Sequence, residues 1–65
     1  MTEQDKPKCK LVGEDGNVFN LIALASRALK KEGQGGKAKE MQDRCFKSHN
    51  YDEVLSIICE YVDAY

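Results

Sequence analysis

Between residues 18 and 29 the apolar side chains come largely in adjacent pairs, Val18 with Phe19, Leu21 with Ile22, Leu24 with Ala25 and Ala28 with Leu29. A half-buried strand needs strict alternation, and these pairs break it at once. Spacings of three and four instead place Val18, Leu21 or Ile22, Ala25 and Leu29 along one face of a helix. The flanks agree. Asn17 is a good N-cap, because its side-chain oxygen can accept a first-turn N–H. Glu14 and Asp15 lie just upstream, Lys30 and Lys31 fall in the last turn, and both placements suit the helix dipole. Gly33 supplies a stop. The spacing therefore predicts a helix over 17–32. The Asp15–Gly16 pair, which elsewhere would signal a hairpin, becomes a strand-to-helix turn.

The remaining elements follow from the same rules. Residues 1–7 are polar, hold the only proline, and read as a flexible tail ahead of a single domain over 8–65. A short alternating run, about 8–12, reads as an extended strand. Its partner is either a hairpin return through 14–17, the chain end at 61–65, or another chain. Residues 33–36, Gly-Gln-Gly-Gly, read as a flexible connection. A second helix over about 37–48 would turn Ala38, Met41, Cys45 and Phe46 inward. Asn50 with Glu53 three residues on resembles a capping box and opens a third helix over 51–62. Its inward stripe is Tyr51, Val54, Leu55, Ile58, Tyr61 and Val62. The expected fold is mainly α, a compact three-helix domain with a short N-terminal strand.

Composition limits the function. A chain of 65 residues forms one small domain with a small core. No apolar run approaches the roughly 20 residues of a membrane span, and the first ten residues do not read as a secretory signal, so no membrane partner and a cytoplasmic location are expected. Three cysteines without a C-x-x-C imply neither a disulfide framework nor a zinc ribbon. Net charge is only -1, but it is unevenly spread: residues 27–47 hold seven cations against three acids, while 48–65 hold four acids and no lysine or arginine. Two helices of opposite sign lying side by side would account for this, as would a binding patch.

Chemical motifs mostly fail. A P-loop is broken at Gly36–Lys37, since Lys31 stands where the first glycine is needed and Ala38 where a hydroxyl is needed. Asp15 and Asn17 are followed by apolar residues, not by the spaced oxygens of a calcium loop. Cys45 and His49 are four apart and would share the face of one continuous helix, yet only Cys9 and Cys59 are available as further ligands. No metal, no cofactor and no catalytic residue are expected, and the chain is not read as an enzyme. Nucleic-acid binding would have to use Arg27, Lys30, Lys31, Lys37 and Lys39, because the third helix is acidic and would repel phosphates. Leu24 and Ile57 lie off the main stripes and Tyr61 and Tyr65 add amphipathic rings, residues typical of interface anchors, while Leu24 and Ile57 would equally serve to widen the core.

The segments 10–33 and 51–65 resemble a group of short, uncharacterised phage and bacterial mobile-element proteins with an L-x-G-x-D-G-N-x-F start and a Y-D-x-L-L, Y-V-D type ending. The matching positions are Leu11, Gly13, Asp15, Gly16, Asn17, Phe19, Ala28, Leu29 and Gly33, then Tyr51, Asp52, Leu55, Tyr61, Val62 and Asp63. The chain departs from the pattern at Asn20, His49 and Asn50. The resemblance implies an accessory protein. The resulting expectation is a protein-binding function with an unknown protein partner, using Asp15, Asn17, Tyr51, Asp52 and Tyr61 if these cluster. Nucleic-acid binding through the basic 27–39 region is the second expectation and a structural homodimer the third.

Overall fold

The computed structural model describes residues 6–11, 13 and 16–65. In chain order the elements are β1 (Lys8–Cys9), α1 (Val18–Lys31), α2 (Gly35–Phe46), α3 (Tyr51–Tyr61) and β2 (Asp63–Ala64). The mainly helical three-helix architecture with a short N-terminal strand is the expected one. The strand's partner is the chain end. β1 and β2 pair in parallel, with Lys8 opposite Asp63 and Cys9 opposite Ala64. The ladder is extended on both sides, by the Asp63 N–H donating to the Pro7 carbonyl at 2.9 Å, Tyr65 N–H to Cys9 at 3.0 Å and Leu11 N–H to Tyr65 at 2.6 Å. Parallel strands need a long crossover, and here all three helices supply it.

Helix ends lie where the capping chemistry puts them. The Asn17 side chain accepts from the Phe19 N–H at 2.8 Å and starts α1. At the other end Gly33 adopts φ +76°, a left-handed conformation that suits glycine. There the Gln34 N–H reaches the Leu29 carbonyl at 2.8 Å and the Gly33 N–H reaches Lys30 at 3.0 Å, the bond pair of a Schellman stop. Asn50 accepts from the Glu53 N–H at 2.8 Å, while the Glu53 carboxylate reaches back to the His49 N–H at 2.7 Å, one residue beyond a standard capping box.

Two expectations change. The connection after α1 is shorter than 33–36: Gly35 and Gly36 form the first turn of α2, where the Ala38 N–H already bonds to Gln34 at 3.0 Å. Residues 6 and 7, which the sequence places in the flexible tail, are tied to the fold. Pro7 is buried and bonded into the ladder, and the Lys6 ammonium donates to the Cys59 carbonyl at 3.1 Å. Residues 1–5 lie outside the described residues.

One core joins the three helices and β1. Leu21, Ile22, Ala25 and Leu29 come from α1, Ala38, Met41 and Cys45 from α2, Val54, Ile57, Ile58 and Tyr61 from α3, Cys9 from β1 and Val62 from the turn into β2. Ala25 and Ala38 are wholly buried, so each brings little more than its backbone to the helix packing. Near them the Gln42 side-chain amide donates to the buried Ser26 hydroxyl at 2.7 Å, tying α2 to α1. Ile57 is buried and Leu24 is packed against the core, so both widen the core and neither is an exposed anchor. Phe46 and Tyr51 are the opposite case. Helical periodicity turns both inward, yet both are exposed, at 62% and 44%.

Leu29→Ala should cost about 2–5 kcal/mol because it opens a cavity in a wholly buried site. Phe46→Ala should cost under about 1 kcal/mol, since most of the ring is already in water. Urea denaturation of both variants measures the contrast, and comparable losses would contradict this placement of the core.

Candidate functional site

Consecutive helices joined by short connections gather alternate ends. The connection from α2 to α3 is only residues 47–50, so the last turn of α2 and the first of α3 lie at one end of the bundle. The start of α1 joins them: the Phe19 ring, on the second residue of α1, lies 6.2 Å from the Phe46 ring, on the last residue of α2, with the planes tilted by 40°. Tyr51 opens α3 at the same end. Its hydroxyl sits against Gly16, where an added Cβ would lie 3.5 Å away. An aromatic surface therefore covers the junction of three helix ends, with Phe19 exposed at 68% and Phe46 at 62%.

Of the five residues expected to bind a protein, three share this end. Asn17 caps α1, Tyr51 is the first residue of α3, and Asp52 follows it on the surface. Asp15 lies outside the described residues. Tyr61 is separated from the group. It closes α3 ten residues, or about 15 Å, further along the helix, and it is buried at 9% exposure. The five do not form one patch. The pairing of Phe19 with Phe46 is what residue-by-residue reading misses here, because the two rings belong to different helices, 27 residues apart in sequence.

Tyr61 belongs to a polar clamp instead. Its hydroxyl donates to the Glu40 carboxylate at 2.6 Å and accepts from the Arg44 guanidinium at 3.0 Å. Arg44 also grips Glu60 with both terminal nitrogens, at 2.7 and 3.2 Å, and its guanidinium carbon lies 5.6 Å from the centre of the Tyr61 ring. The fork-on-carboxylate geometry is the strong form of this contact, although both partners are about half exposed and solvent screens them. The contact joins a cation of α2 to an acid of the acidic helix α3. Hydrogen bonding from Arg44 holds the Glu60 carboxyl below the usual carboxylate range. Burial, aided by the bond to Glu40, pushes the Tyr61 phenol up.

The basic residues separate into two sets. Arg27 and Lys31 line a groove between α1 and β1 together with Lys8 and Lys10, and Arg27 with Lys30 borders a smaller depression beside Gln42. Lys37 and Lys39 are on α2, and their spacing of two residues turns them about 200° apart around the helix. Arg27, Lys30, Lys31, Lys37 and Lys39 thus do not form one continuous stripe. Cys45 and His49 do not share one continuous helix, because α2 ends at Phe46. Cys45 is buried, and burial raises its thiol pKa, which keeps it protonated. Among the described residues no three metal-ligating side chains come together, and no helix is long and apolar enough to cross a membrane.

Comparison of the chain with protein-family models, with curated proteins and with solved structures gives no match in any of the three.

The clamp makes stability depend on pH from both sides. A carboxyl whose pKa is lowered by folding stabilises above the ordinary carboxylate range and loses that contribution as pH falls through its folded value. A phenol whose pKa is raised stabilises below its ordinary value of about 10 and loses that contribution as pH rises beyond it. Thermal melts across pH should show Glu60→Gln flattening the acid limb and Tyr61→Phe flattening the alkaline limb. Unchanged limbs in both variants would mean that the clamp does not form in solution.

Proposed function

We propose that this chain is a non-catalytic accessory protein that acts by binding another protein, and that the aromatic end of the bundle is its docking surface. The observation that carries the reading is the Phe19–Phe46 pair, two neighbouring rings each about two-thirds exposed. Full burial of a phenylalanine side chain contributes roughly 1.5–3 kcal/mol, so the pair forgoes about 2–4 kcal/mol by staying in water. A domain of this size has a total stability on the order of 3–10 kcal/mol. Surface aromatics scattered singly are ordinary, but two in contact form an apolar patch that a partner can cover. Tyr51, Asn17 and Asp52 would supply its polar border, the arrangement in which central rings carry most of the binding energy.

The resemblance of the two chain segments to phage and mobile-element proteins supports an accessory role, and Asn17, Phe19, Tyr51 and Asp52 are among the positions that carry it. The reading needs no cofactor and no metal. Nucleic-acid binding through residues 27–39 and a structural homodimer are the competing readings. The division of the basic residues between α1 and α2 favours neither a groove-reading helix nor a phosphate stripe.

The test is a Phe19→Ser/Phe46→Ser double variant. Affinity capture from the native host should recover a specific protein with the wild-type chain and lose it with the variant, while the melting temperature changes little. Equal recovery by both would remove this surface from the interaction. Titration with generic duplex at two salt concentrations separates the nucleic-acid reading, which requires binding that weakens steeply with salt. Sedimentation over a concentration series separates the dimer.

A further inference from the structure

A second surface, remote from the aromatic end, has different chemistry. β1 forms one wall of a groove of about 540 Å³ and α1 forms the other. On β1 the exposed residues alternate with the buried Cys9, so Lys8 and Lys10 stand on one outward face. On α1 the lining residues Leu24, Arg27, Ala28 and Lys31 recur at three and four, the period of a single helix face. Leu24 and Ala28 give the groove an apolar floor. Among the described residues, Lys8, Lys10, Arg27 and Lys31 surround it with four positive charges against the one carboxylate of Glu32. Among the described residues none of the four cations is in an ion pair, since the two ion pairs are Arg44–Glu60 and Lys47–Asp43.

The main chain beside this groove also has a direction. In the parallel ladder with β2, Pro7, Cys9 and Leu11 supply the groups that bond to the chain end. Alternation then directs the amide and carbonyl groups of Lys8 and Lys10 away from β2, toward the outer edge of β1. An added strand uses such an edge, with its main chain giving affinity and its alternate side chains giving specificity. Four cations around a narrow groove repel one another, and an anionic occupant relieves that repulsion. A strand edge and an apolar floor fit a peptide better than a nucleic acid, which offers neither a complementary backbone ladder nor small aliphatic side chains.

We propose that the groove between β1 and α1 docks an extended, acidic segment of a partner protein, whose backbone lies along β1 and whose carboxylates meet Lys8, Lys10, Arg27 and Lys31. This site is independent of the aromatic end, and either can fail without the other. The test titrates the isotope-labelled full chain with a capped octapeptide alternating glutamate and valine, following backbone amide shifts. Shifts confined to residues 8–10 and 24–32 are expected. Lys8→Glu/Arg27→Glu should weaken the peptide about tenfold or more, as should replacing its glutamates by glutamines. Lys31→Gln, a milder surface change, should weaken it by a smaller factor and guards against misfolding of the double variant, whose amide dispersion must match wild type. No shifts, shifts centred on Phe19 and Phe46, or unchanged affinity in the variants would overturn the proposal. So would an oligothymidylate that shifts the same amides and binds at least as tightly as the peptide, which would give the groove to nucleic acid.

Discussion

Leu29, Met41, Ile58 and Val62 are the largest side chains sealed almost wholly from water, one from each helix and one from the turn into β2. In a chain this short they and a ring of smaller residues are most of what opposes the conformational entropy of unfolding. Keeping them dry requires the helices to approach closely, which Ala25 and Ala38 permit, and requires the two chain ends to close over the remaining side. Cys9 and Val62 are buried beneath that closure. The parallel strand pair is thus too short to be a sheet in its own right and acts as a clasp. It turns residues more than fifty positions apart into neighbours, and α1, α2 and α3 lie inside the loop it closes.

The polar devices protect the same core at its margins. The Arg44 clamp sits over Tyr61, whose ring fills the core while its hydroxyl must find partners at the edge; Glu40 accepts and Arg44 donates, so the phenol is satisfied both ways. Ser26 is handled similarly by Gln42. Among the described residues no buried side-chain nitrogen or oxygen lacks a partner. Such satisfaction matters more than the modest net strength of each bond, because a single orphaned polar atom costs about 1–3 kcal/mol.

Local chemistry made much of this legible. The cap at Asn17, the stop at Gly33 and the cap at Asn50 depend on residues within a few positions, and all three helices lie close to where those signals put them. The strand's partner was not legible in the same way. Asp63 and Ala64 carry no alternating apolar pattern, and their pairing with residues more than fifty positions away depends on where α3 delivers the chain. The clamp is hidden for the same reason, since Arg44 and Glu60 are sixteen residues apart and on different helices. Phe46 and Tyr51 went astray because periodicity assumes a helix flanked by neighbours along its whole length. At a terminal turn the neighbouring helix has ended, and a side chain at an inward angle then projects into water. That geometry separates Asn17, Tyr51 and Asp52, at one end, from Tyr61 at the other.

Both proposed surfaces lie where local preferences and the needs of the core part company. A chain selected only to fold would lose little by exchanging Phe19 and Phe46 for polar residues, since most of each ring is already in water. It would gain by placing an acid among Lys8, Lys10, Arg27 and Lys31, since like charges around one groove repel. Departures of this kind tend to mark sites of function, because something outside the fold must compensate them. The two also differ in the physics of recognition. A ring pair binds through area removed from water and should be largely indifferent to salt, whereas a cationic groove steers its ligand from a distance and weakens as the Debye length shrinks. Set on different parts of one small domain, they would let it hold a partner by an apolar contact and select it by charge.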